Sequence, residues 1–185
     1  MITHYGYDNF FGLVAAGVAL ILLGIWLSVP WLSPVLYIAG FVIVVFAQWF
    51  FRDPTRSVPG EALADDAIII APADGKVVQI TPVQESRLIK GNAVQISIFL
   101  SPLDVHVNRV PANGTVVFTE YNPGKFRMAF DHMASEVNEQ SIIGLKNSRG
   151  AIVFKQITGF LARRIVYALK PGDTVKAGDK FGMMI

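Results

Sequence analysis

Two residues in this chain combine a reactive side chain with a setting suited to chemistry. His106 lies in Ser101-Pro102-Leu103-Asp104-Val105-His106-Val107-Asn108-Arg109-Val110-Pro111, directly after an apolar run. Polar residues where a strand meets a loop are where sites tend to be built, and an imidazole titrates close to neutral pH. If the stretch is extended, Asp104, His106 and Asn108 share one face, and Val105, Val107 and Arg109 the other. Asp74, in Ala71-Pro72-Ala73-Asp74-Gly75-Lys76, closes one apolar run and opens the next. Both residues also have an ordinary reading. A lone histidine is as often a half-buried hydrogen-bonding residue, and Asp-Gly is a common hairpin turn. His4 and His132 have no spacing that suggests a metal site. Glu136, Asn138 and Glu139 read as a solvated face. Cysteine is absent, which removes disulfides, thiolate nucleophiles and cysteine-bound zinc.

The elements that would position these residues are β-like. Ala67 to Pro72, Lys76 to Ile80, Ala93 to Leu100, Gly114 to Phe118, Ala151 to Ile157 and Arg164 to Leu169 are short runs rich in Val, Ile and Phe. Gly, Pro and Asn punctuate them. One stretch, Arg127 to Glu139, has a weak helical period. The tail from Lys170 to Asp179 is similar to the turn-strand-turn of lipoyl and biotinyl carrier domains, with Gly172 and Gly178 supplying positive φ at the turns. The hairpin lysine of such carriers is missing. The expected fold is mainly β, a barrel-sandwich, lipoyl-like domain.

An anchor precedes it. The chain has 185 residues, 52% of them hydrophobic and 16% charged, and from Met1 to Phe51 the only fully charged side chain is Asp8. Phe10 to Leu27 and Trp31 to Phe51 are apolar runs close to the roughly 20 residues that span a bilayer as helix. The uncharged Ser28-Val29-Pro30 joins them, so residues 1-51 are expected to form a two-helix membrane hairpin and residues 52-185 the β-rich domain. A hairpin dipping into one leaflet is the alternative to a spanning one. No basic segment precedes the first run, which argues against a signal peptide. Arg52 and Arg56 follow the second run, and by the positive-inside tendency the β domain faces the cytoplasm. A net charge of +2 with no basic run excludes a nucleic-acid partner as the natural reading.

Five blocks then resemble one family. Phe50-Phe51-Arg52-Asp53-Pro54, Ala71-Pro72-Ala73-Asp74-Gly75-Lys76-Val77 and Phe99-Leu100-Ser101-Pro102-Leu103-Asp104-Val105-His106-Val107-Asn108-Arg109 are similar to the short, archaeal-type phosphatidylserine decarboxylases. Gln156-Ile157-Thr158-Gly159-Phe160-Leu161-Ala162-Arg163-Arg164-Ile165 and Gly178-Asp179-Lys180-Phe181-Gly182-Met183 resemble the same family. The blocks come in family order and cover nearly the whole chain. The resemblance implies a carboxy-lyase acting on phosphatidylserine, with a pyruvoyl cofactor made by self-cleavage at a Gly-Ser. The ketone of that group captures the substrate amine and serves as electron sink. Asp74 and His106 match the family's catalytic Asp and His, and Arg109 is expected to bind substrate phosphate or carboxylate. Longer relatives have a second His where Arg109 stands.

The sequence holds no Gly-Ser pair. In relatives that pair follows the Phe181-Gly182-Met183 block, so the chain is expected to be the β subunit, inactive until joined by a pyruvoyl-bearing α subunit. The implied partners are that subunit, phosphatidylserine and the membrane, with homo-oligomer formation open. Two rivals remain: a membrane-anchored lipoyl-like adaptor, and a lipid-binding homologue without catalysis.

Overall fold

The computed structural model describes residues 1–128 and 133–185. The chain divides into two compact units, Met1–Pro54 and Thr55–Ile185.

In the first unit α1 (Tyr7–Leu27) and α2 (Ser33–Phe50) form an antiparallel pair. Both are long and apolar enough to cross a membrane; at 1.5 Å per residue they extend about 32 and 27 Å. Their contact is made by small residues at heptad spacing, Gly17 and Gly24 facing Ser33, Gly40 and Ala47, all buried. A Cβ on Gly17 would stand 2.8 Å from the Gly40 carbonyl oxygen, so only glycine permits this approach. Lipid supplies no hydrophobic drive between helices, and close backbone packing substitutes for it. The Ser33 hydroxyl adds a 2.8 Å bond to the Gly24 carbonyl. Ser28, left-handed at φ 50°, ends α1 by donating its N–H to Gly24 O. At the open end Asp53 N donates to Met1 O (2.7 Å) and Thr3 N to Phe51 O (3.0 Å). Trp26 and Trp31 beside the turn are largely exposed, the placement of an interfacial aromatic belt.

The second unit is mainly β, with short helices α3 (Gly60–Ala64) and α4 (Ala134–Val137). Its strands are β1 (Lys76–Glu85), β2 (Gly91–Phe99), β3 (Val107–Arg109), β4 (Gly114–Asn122), β5 (Gln140–Asn147), β6 (Gly150–Ile157), β7 (Ile165–Tyr167), β8 (Thr174–Val175) and β9 (Lys180–Met184). They pair antiparallel as a four-stranded sheet β6-β5-β4-β8, a three-stranded sheet β3-β9-β7 and a ribbon β1-β2. The core lies between the first two sheets: Ile143, Leu145 and Phe154 of one meet Phe181 of the other, with Val110, Val116 and Val175 beside them. The rings of Phe154 and Phe181 touch edge to face with centroids 5.2 Å apart.

The tail follows its turn chemistry. Gly172 and Gly178 have φ of 97° and 88°, and Asp173 and Asp179 each accept a backbone N–H at 2.8 Å, from Lys170 and Lys176. Asn113 ties three segments together: its amide nitrogen donates to Ala62 O (3.2 Å) and its oxygen accepts from Ala177 N (3.0 Å).

Four expectations need correction. Residues 67–72 form no strand; the segment makes single backbone bonds, Ile70 N to Pro111 O and Arg109 N to Pro72 O, both 2.8 Å. Asp74 sits at the entry to β1, not in a hairpin turn. Of the helix expected from Arg127 to Glu139 only Ala134–Val137 is helical, while 129–132 lie outside the described residues. Asn138, read as part of a solvated face, is 2% exposed. Its oxygen accepts from Arg127 N (2.9 Å) and its nitrogen donates to Arg127 O (2.9 Å) and Thr158 O (2.8 Å). A buried amide is tolerated because these bonds satisfy it.

The packing of both units can be tested. Gly40→Leu is expected to widen the hairpin, measured as an increased spin-label distance between α1 and α2 in nanodiscs, and Ser33→Ala to cost only about 0.6 kcal/mol. At the ribbon tip the Glu85 carboxylate accepts from Arg87 N (2.8 Å), Leu88 N (2.8 Å) and Ile89 N (2.7 Å). Desolvation opposes ionisation there, but these donors outweigh it and hold Glu85 below its ordinary 4.5. The stabilisation is therefore present above about pH 4.5 and is lost as pH falls through the lowered folded value. Amide exchange at Arg87–Ile89 should accelerate in that acid window, and Glu85→Gln should show the fast exchange at neutral pH.

Candidate active site

The Ser101–Asp104 turn sets the height of His106. Asp104 Oδ2 accepts from Ser101 N at 2.8 Å and Asp104 N donates to Ser101 O at 2.9 Å. The Asp104 carbonyl then accepts from His106 Nδ1 at 3.0 Å. In the neutral ring this places the proton on Nδ1 and leaves Nε2 as the basic atom. His106 is 4% exposed.

From here the chain enters β3, and alternation separates its two sides. Val105, Val107 and Arg109 line a pocket of about 350 Å³ together with Arg56, Asp74 and Gly178. His106 is not among the described residues of that lining. The structure thus brings Asp74 and Arg109 to one pocket and places His106 apart from it. Asp74 pairs with the Arg56 guanidinium, both half-exposed. Such a pair stabilises by about 0–1 kcal/mol and exchanges partners readily. Arg109 is held by its Nη1 bond to Gly178 O (3.1 Å) and its backbone bond to Pro72 O (2.8 Å). Two guanidinium groups in one pocket suit a phosphate or carboxylate.

The other side of β3 is polar and buried. Asn108 Oδ1 accepts from Gln156 Nε2 at 2.8 Å, and Gln156 Oε1 accepts from Ser141 Oγ at 2.8 Å. Asn108, Gln156 and Ser141 are 4%, 3% and 0% exposed. β9 runs alongside: Asn108 pairs with Gly182, and Met184 N approaches His106 O at 3.4 Å. The backbone leaving β9 therefore passes His106.

Reading the sequence missed Gln156, Ser141 and Arg56 as members of these clusters. A signal for Gln156 was present: in Ala151 to Ile157 it alternates onto the same face as Ile152 and Phe154, a polar residue where the core requires an apolar one. Ser141 had none, because β5 itself was not foreseen. Arg56 was weighed only as a membrane-flanking charge. No group of three or more metal-ligating side chains occurs among the described residues.

Comparison with known proteins gives the family. Residues 43–185 match the family model for phosphatidylserine decarboxylase. A phosphatidylserine decarboxylase proenzyme of Chlorobium chlorochromatii is 44% identical over 188 residues, covering 100% of this chain and 84% of the relative. The proenzyme of Carboxydothermus hydrogenoformans is 48% identical over 96% of this chain and 78% of its own length. That of Salinibacter ruber is 49% identical over 83% and 67%. Matching the family model over β3, β9 and the buried polar side between them, the chain belongs to the phosphatidylserine decarboxylase family.

Proposed function

We propose that this chain is the β subunit of a membrane-anchored phosphatidylserine decarboxylase, releasing carbon dioxide and leaving phosphatidylethanolamine. The observation that carries the reading is the position of β9, whose Met184 N lies 3.4 Å from His106 O; the relatives this chain is similar to are named proenzymes. The expected continuation holds a Gly-Ser. The serine hydroxyl attacks the preceding carbonyl, the peptide bond becomes an ester, and elimination releases the β chain's carboxylate. Hydrolysis of the resulting dehydroalanine frees ammonia and leaves a pyruvoyl group at the head of the α subunit.

The residues present fit such a group. A buried side rich in amides, hydroxyl and imidazole, at the end of β9, suits a polar carbonyl function better than an apolar one. His106 and Asn108 would hold it there. When bound, the pyruvoyl ketone captures the substrate amine and accepts the electron pair left by departing carbon dioxide.

The chain's own groups do the rest. Arg109, beside Arg56, binds the headgroup phosphate or carboxylate. His106, once protonated at Nε2, delivers that proton to the carbon that has lost its carboxylate and returns to the neutral ring. Asp74 supports the earlier self-cleavage, orienting the base that activates the serine. Residues 1-51 anchor the enzyme, residues 52-185 carry the site, and the site faces the cytoplasm.

In the full-length gene product Asp74→Ala should leave mostly uncleaved precursor. His106→Ala should lower carbon dioxide release by about 10²-fold or more. A gel following the β/α split, read beside carbon dioxide release from phosphatidylserine, separates the two effects. Wild-type cleavage and turnover in both variants would contradict the site assignment. Protease should degrade the β domain in inverted vesicles and spare it in intact cells; the reverse would favour the membrane-anchored adaptor.

A further inference from the structure

Asn108 is almost fully buried, yet only half of its amide is used. Its Oδ1 accepts from Gln156, while its Nδ2 has no acceptor among the described residues. That nitrogen is not sealed away: among the described residues the fully buried side-chain atom without a partner is Gln140 Oε1, so the Asn108 Nδ2 donor stays accessible. Its orientation is not loose. Gln156 Oε1 takes the Ser141 hydroxyl proton at 2.8 Å, so the Gln156 Nε2 end faces Asn108. The Gln156 nitrogen also lies over Gly182, where an added Cβ would stand 3.1 Å from it. Ser141 thus fixes Gln156, and Gln156 fixes Asn108 with its oxygen turned inward.

We infer that Gln156 is a positioning residue, and that through it the Asn108 Nδ2 group is presented as a hydrogen-bond donor to an oxygen that gains negative charge during the reaction. Asn108 shares the side of β3 that carries His106, and both lie beside β9. That oxygen is the peptide carbonyl under attack at scission, which carries the charge of the tetrahedral adduct; a substrate carboxylate sheds its charge as carbon dioxide leaves and does not fit. The inference rests on the decarboxylase reading.

The test uses the full-length gene product. A glutamate side chain keeps the shape of glutamine but, when ionised, only accepts hydrogen bonds. In Gln156→Glu the Asn108 amide then rotates to donate to the new carboxylate, turning Oδ1 where Nδ2 stood. The fold keeps its bonds and the site loses its donor. Gln156→Glu at alkaline pH is expected to lower the first-order rate constant for scission by about 10²-fold. Activity should recover as acid protonates the introduced carboxylate and restores a donor. Asn108→Ala, which introduces no charge, should show the same loss at every pH, with a melting curve confirming that it folds. Slowed scission on the gel, with carbon dioxide release falling in step with it, supports the inference; normal scission with only carbon dioxide release reduced contradicts it. A wild-type scission rate across the pH range in both variants, beside an active wild type, overturns the inference alone. A wild type that releases no carbon dioxide overturns the decarboxylase reading, and the inference with it.

Discussion

The antiparallel pairing of β9 between β3 and β7 is the constraint on which the second unit depends. β9 contributes Phe181 to the core and Gly182 to the polar side, and both neighbours are short strands with no other strand partner among the described residues. Three-residue pairings are weak by themselves, so the sheet is held by what packs on it: Phe154 against Phe181 from the four-stranded sheet, and the Asn108–Gln156 bond across the same gap. One inter-sheet space therefore holds an apolar core at one end and a polar ladder at the other. The place of β9 is fixed by strand neighbours on both sides.

The first unit follows different physics. Its helices meet through glycine, serine and alanine, the arrangement expected where hydrocarbon surrounds the outer faces. A two-chain lipid leaves the bilayer only at a cost of about 0.8 kcal/mol per CH₂. An enzyme that acts on such a lipid gains from being held at the surface, and a hairpin of two short-linked helices serves that end without adding to the catalytic fold.

Much of this was legible in the sequence for identifiable reasons. The apolar runs marked α1 and α2, because charge is absent from them almost entirely. Gly172 and Gly178 announced their turns, since few other residues adopt positive φ at so little cost. The alternation from Asp104 to Arg109 separated the pocket side from the polar side by spacing alone. What failed did so where tertiary partners override local pattern. β5 is buried on both faces, so Ile142-Ile143-Gly144-Leu145 shows no alternation. Asn138 reads as surface until its three bonds to Arg127 and Thr158 are seen. Residues 67–72 look like a strand by composition, yet among the described residues they find only single backbone bonds and no ladder.

The central claim is that a second, pyruvoyl-bearing peptide completes the polar side of β9. Intact mass spectrometry of a purified, active preparation tests it most directly. The account predicts a large chain that includes β9 and a much smaller one whose N-terminus is blocked as a pyruvoyl group. An active preparation that contains only one uncleaved chain would contradict it.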